Sequence, residues 1–98
     1  MAKIQNIINN NGNAAANQFV ITTDKGIYFQ SYNSVVAFWD GLNRRLKVTP
    51  LWDYSATTRK HFYIFLNDYT NIFADRKNVL SKIKDGSIEV IEDGKLDF

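Results

Sequence analysis

Between Asn17 and Pro50 no stretch of this chain runs long enough without a break to make a helix. Turn chemistry interrupts it at Asp24-Lys25-Gly26, at Asn33-Ser34 and at Asp40-Gly41. The pieces left over are short and rich in Val, Ile, Phe, Tyr and Trp. Such runs between turn residues read as strands. The sequence therefore predicts strands over 17–23, 27–32, 35–39 and 45–49, joined in order as an antiparallel meander. Asp24-Lys25-Gly26 suits a three-residue hairpin loop, with Gly26 at its left-handed position. The run 35–39 is almost wholly apolar, which predicts a central strand buried on both faces. Pro50 closes the fourth strand because it has no N–H to give a ladder.

Past Pro50 the period changes. Thr58, Phe62, Phe65, Leu66 and Tyr69 follow at i, i+4, i+7, i+8 and i+11, the stripe of an amphipathic helix. That helix is expected from Ala56 to Asn67 or Asp68, with Asp53 or Ser55 capping its first free amides. A second helix is expected over Arg76–Lys84, capped by Asp75. Val79, Leu80 and Ile83 form its apolar face, and Lys82 and Lys84 sit where the helix dipole favours cations. Residues 88–91 read as a short last strand. In the N-terminal segment, residues 1–13, the spacing of Ile4, Ile7 and Ile8 predicts one or two helical turns, stopped by Asn11-Gly12. The surrounding asparagines read as turn chemistry.

The expected fold class is thus α+β. A four-stranded antiparallel meander carries one main helix, followed by a second short helix and a short C-terminal strand. Residues 1–98 form a single domain, ending in an acidic tail over 92–98 with Phe98 as an anchor. The 45% hydrophobic content is enough for one core without covalent staples.

The residue inventory removes whole classes of chemistry. No cysteine is present, so disulfides and thiolate nucleophiles are excluded. With one histidine as well, the usual zinc sites are excluded. The five glycines fall at turns and helix ends, and none forms a phosphate-binding loop. His61 sits mid-helix on a flank of the apolar stripe. A serine–histidine–aspartate set drawn from Ser31, His61 and Asp53 has no strand-to-helix nucleophile elbow to support it. The expectation is a protein without enzymatic activity, catalytic residues, metal or cofactor. The N-terminus has no signal-peptide pattern and no apolar run is long enough to span a bilayer, so no membrane partner and a cytoplasmic location are expected.

Surfaces for binding are easier to nominate. The net charge is +2, with the acidic residues concentrated after position 84 and a modestly basic body before it. Arg59, Tyr63 and Asn67 line up at i, i+4, i+8 on the outer face of the first helix, beside Lys60. That face suits a phosphate backbone or an acidic protein patch. Arg44, Arg45 and Lys47 make a second basic cluster at a hairpin, where charge also guards a strand edge. Tyr28 and Tyr32, with Gln30 between them, share one face of their strand. They form either a stacking platform for bases or part of the core.

Four blocks of sequence, in order, carry a resemblance: Asn17-Gln18-Phe19; Phe29-Gln30-Ser31-Tyr32-Asn33-Ser34 with Ala37; Trp52-Asp53-Tyr54-Ser55 with Thr57, Thr58 and Lys60; and Phe65-Leu66. Together they resemble a family of small proteins of unknown function from tailed bacteriophages and related mobile elements. The similarity spans roughly residues 7–90. It implies an origin in the cytoplasm of an infected bacterial host and assigns no catalytic residue. Small phage accessory proteins often act by binding, so the resemblance implies a host or phage protein as partner. One such role is to inhibit a host defence complex, a CRISPR nuclease for instance. A nucleic-acid-binding module and a minor structural part of the virion are the alternatives. Most block residues read as core or cap, but Ser34, Thr57 and Thr58 have no such explanation and could line a contact surface.

Overall fold

The computed structural model describes residues 3–9, 11–92 and 96. The strands are β1 (Lys3–Ile8), β2 (Ala14–Thr22), β3 (Ile27–Ser31), β4 (Ser34–Asp40), β5 (Arg45–Val48) and β6 (Ile88–Val90). A 3₁₀ turn (Pro50–Asp53), helix α1 (Ala56–Tyr69) and helix α2 (Arg76–Lys84) lie between β5 and β6. The class is α+β, with one mixed sheet ordered β1-β2-β3-β4-β5-β6. The expected meander is its middle, β2 to β5. Two strands extend it: β1 pairs antiparallel with β2, and β6 joins β5 in parallel.

The N-terminal helix is corrected to a strand. An amphipathic helix would bury Ile4, Ile7 and Ile8 together. Instead Ile7 is 2% exposed while Ile4 and Ile8 are 62% and 53% exposed. Strand alternation puts Ile7 on the core face and Ile4 and Ile8 on the other. Asn9 then closes a hairpin: its carbonyl accepts from the Gly12 N–H at 2.9 Å, and its Oδ1 accepts from the amides of Asn11 and Asn13. Gly12 has φ +82°, so the pair that would have ended a helix reverses a strand. Gln5 Nε2 donates to the Tyr69 hydroxyl at 3.0 Å, tying β1 to the end of α1.

Helix α1 begins as expected. Ser55 is the cap, its Oγ accepting from the Thr58 N–H at 3.1 Å. Asp53, the other cap candidate, is engaged elsewhere. The predicted stripe faces the sheet: Phe62, Phe65 and Leu66 are fully buried, with Thr58 close behind. Phe65 stacks on Phe29 at 5.7 Å between ring centroids, and Trp52 packs on Phe62 at 5.6 Å. Val20, Phe29, Ala37 and Val48 lie in one cross-strand row of this face. In α2, Val79 is buried while Leu80, expected on its apolar face, is 41% exposed.

Gly26 has the positive φ expected of it, though at +156° it lies far from the left-handed helical value of a bulge. Glycine is needed for room: a Cβ there would stand 2.6 Å from the Phe38 ring and collide with the Trp39 carbonyl. The strand β4 is central, as expected, but its second face is only half covered: Val35 and Phe38 are half-buried. Phe98 and residues 93–95 and 97 of the expected acidic tail lie outside the described residues.

Candidate functional site

The nine residues nominated from sequence fall in four places. Arg59, Lys60, Tyr63 and Asn67 do share one surface. With Ala56, Ile64, Phe73 and Ala74 they line a groove of about 480 Å³ between α1 and the segment leading to α2. Phe73 is 73% exposed at its side. Arg44 and Arg45 lie at the other end of α2, in a separate hollow with Lys82. Arg44 is in the turn at φ +54°, and Arg45 donates to the Gly86 carbonyl at 3.3 Å. Lys47 is on the sheet face away from the helices, opposite Phe38. Tyr28 is on that face too, buried against Phe38 at a centroid distance of 4.5 Å. Tyr32 stands apart from Tyr28, 53% exposed. The sequence therefore names one coherent surface, on α1, and scatters its other candidates.

Electrostatics in the α1 groove centre on Asp53. Its Oδ1 accepts from Arg59 at 2.7 Å and its Oδ2 from Arg76 at 2.9 Å. The two guanidiniums, Arg76 first and then Arg59, hold its carboxyl below the ordinary carboxylate value. Arg59 and Arg76 share Asp53, Asp75 is a second anion near Tyr63, and exposed Lys60 adds a third cation, so these groups together keep one positive charge. Tyr63 is half-buried, and its Oη is shielded from water with no hydrogen-bond partner among the described residues. Burial pushes its pKa above the ordinary phenol value, so it is a neutral O–H donor at physiological pH.

A second hollow, of about 400 Å³, opens where the β3–β4 turn meets the start of α1. Ser31, Tyr32, Ser34, Val36, Leu51, Tyr54, Ser55 and Thr58 line it. Ser31 Oγ and Thr58 Oγ1 are 3.1 Å apart, and the Ser55 hydroxyl donates to Thr58 Oγ1 at 3.2 Å. Sequence reasoning touched this cleft by nominating Tyr32 and by leaving Ser34 and Thr58 without a structural role. Thr57, left over with them, lies outside it and is exposed, its carbonyl accepting from His61 Nδ1 at 2.8 Å. The signal for the cleft was that Ser31, Tyr32 and Ser34 come from one sequence block and Tyr54, Ser55 and Thr58 from another.

Ser31, His61 and Asp53 are each engaged with other partners. Among the described residues no group of three or more His, Asp or Glu could hold a metal ion. No helix among them is long and apolar enough to cross a membrane.

A family model matches residues 2–83, most of the chain. The chain belongs to DUF8033, a family of unknown function. No curated protein and no solved structure matches it. The DUF8033 match takes in β1 to β5, α1 and nearly all of α2, and with them both hollows; it stops short of β6.

Proposed function

We propose that this DUF8033 chain is a non-catalytic binding protein whose contact surface is the α1 groove, and that its partner is a protein with an acidic patch. One observation carries the reading: Arg59, Lys60 and Asn67 line a groove whose surrounding charged groups leave a positive excess. An acidic surface would complement Lys60 and the shared Asp53 cluster. Exposed Phe73 supplies the apolar contact such interfaces need. The resemblance to small phage proteins extends the proposal to an accessory protein acting in an infected host cell, with a defence complex as its target.

Lys60 is the residue to test, because reversing Arg59 would also break the bridge to Asp53. Lys60→Glu and Phe73→Ala should fold normally and lose a partner that the unchanged protein retains from nuclease-treated host lysate. Retention of that partner by both variants would remove the groove as the contact surface. Binding that disappears on nuclease treatment and weakens steeply with salt would instead assign nucleic acid to this face.

A further inference from the structure

We propose that the cleft between the β3–β4 turn and the start of α1 binds a neutral saccharide. No charged side chain lines it. A ligand carrying phosphate or carboxylate would find no cation there. Strand augmentation by a peptide is not available either, since β3 and β4 are both paired on either side. What the cleft offers is hydroxyl groups, two aromatic rings at its rim, and the apolar Val36 and Leu51. Exposed Ser34 can donate and accept by rotating, and the linked hydroxyls of Ser31, Thr58 and Ser55 keep spare lone pairs, which suits the hydroxyls of a sugar. Tyr32 and Tyr54 are 53% and 78% exposed, placing amphipathic rings where a sugar's C–H face can pack. The volume of about 400 Å³ suits a mono- or disaccharide.

Backbone conformation gives a second, independent reason. Tyr32 has φ +55°, the left-handed region that bulky side chains avoid. It is the first residue of a two-residue turn between the paired Ser31 and Ser34, a place where glycine is favoured. The strain is held by a 2.7 Å bond from the Tyr32 N–H to the carbonyl of Asn17, itself left-handed at φ +62°. A turn alone would be better served by glycine. The chain keeps an exposed ring there at a conformational cost, as binding sites do. Thr58 and Ser55 are fixed by the helix cap, so the opposite wall is rigid.

The test is amide-resolved NMR of the whole chain, titrated with glucose, galactose, N-acetylglucosamine, maltose and cellobiose, and separately with adenosine. At least one sugar should give saturable shifts at the amides of Ser34, Ser55 and Thr58. Tyr54→Ala, at an exposed position, should weaken that binding by about tenfold. Tyr32→Gly should raise the melting temperature while weakening the same binding, which a purely structural tyrosine would not do. Ser34→Ala, also exposed, gives a variant in which the fold is not at risk and binding should still weaken. No shift at the cleft with any sugar would overturn the proposal. So would shifts there with adenosine but with none of the sugars.

Discussion

The two faces of the sheet are made by the same alternating strands, yet they are finished differently. Toward the helices, Val20, Phe29, Ala37 and Val48 meet Phe62 and Phe65 with almost no exposure. On the reverse face the row Ile21, Tyr28, Phe38 and Lys47 begins buried and ends polar, and Ile4 beside Ile21 is largely exposed. Alternation alone decides which residues share a face. What lies over the face decides whether that sharing becomes a core.

The largest expected effect is on the helix side. Phe65→Ala should cost ~3–5 kcal/mol in urea unfolding, because the ring is wholly buried and its neighbours cannot collapse into the space. Phe38→Ala on the reverse face should cost only ~1–2 kcal/mol, since half-burial recovers part of a full transfer. An equal cost for both would make the reverse face a second core. Gln18 sharpens the contrast from within the helix side. It is 1% exposed, and neither its amide nitrogen nor its oxygen has a partner among the described residues. Gln18→Leu should therefore stabilise the fold by ~1 kcal/mol, read from the same unfolding curves.

The smallest effect is a pH dependence. Asp53 joins the 3₁₀ turn to α1 and α2 through Arg59 and Arg76, which lower its pKa. A lowered carboxyl contributes stability that is complete above the ordinary value of 3.8. It is lost as pH falls through the lower folded-state value. The Arg59 pair is partly exposed, so its worth is about 1 kcal/mol at most. Asp53→Asn should lower the neutral plateau by up to about 1 kcal/mol and flatten the acid side of the profile, leaving the stability at the lowest pH nearly in place. An unchanged acid limb would show that the helix layer is held by the sheet alone.

What could be read from sequence followed local signals. The limits of α2 were legible because Asp75, the apolar face and Gly86 all agree. The middle strands were legible because each turn carries its own chemistry. The first strand was not, because Ile4, Ile7 and Ile8 fit a helix spacing as well as a strand alternation that sets Ile7 against the other two. The place of β6 depends on a parallel pairing across two helices, which no local pattern announces. The α1 groove was legible as a row on one helix, but the link from Arg59 through Asp53 to Arg76 was not, being set by tertiary packing. The hydroxyl cleft was the least visible. Serine and threonine look the same in a cap, a turn or a binding site until the two segments meet.

The parallel pairing of β5 with β6 also has a consequence for how the protein is made. Leu46 waits for Ile88, and Val48 for Val90, until both helices have been synthesised. During that interval β5 presents an open row of backbone donors and acceptors, the kind of edge that recruits other chains. Arg45 and Lys47 on this strand then act as guards against aggregation of the nascent chain, before any finished surface exists.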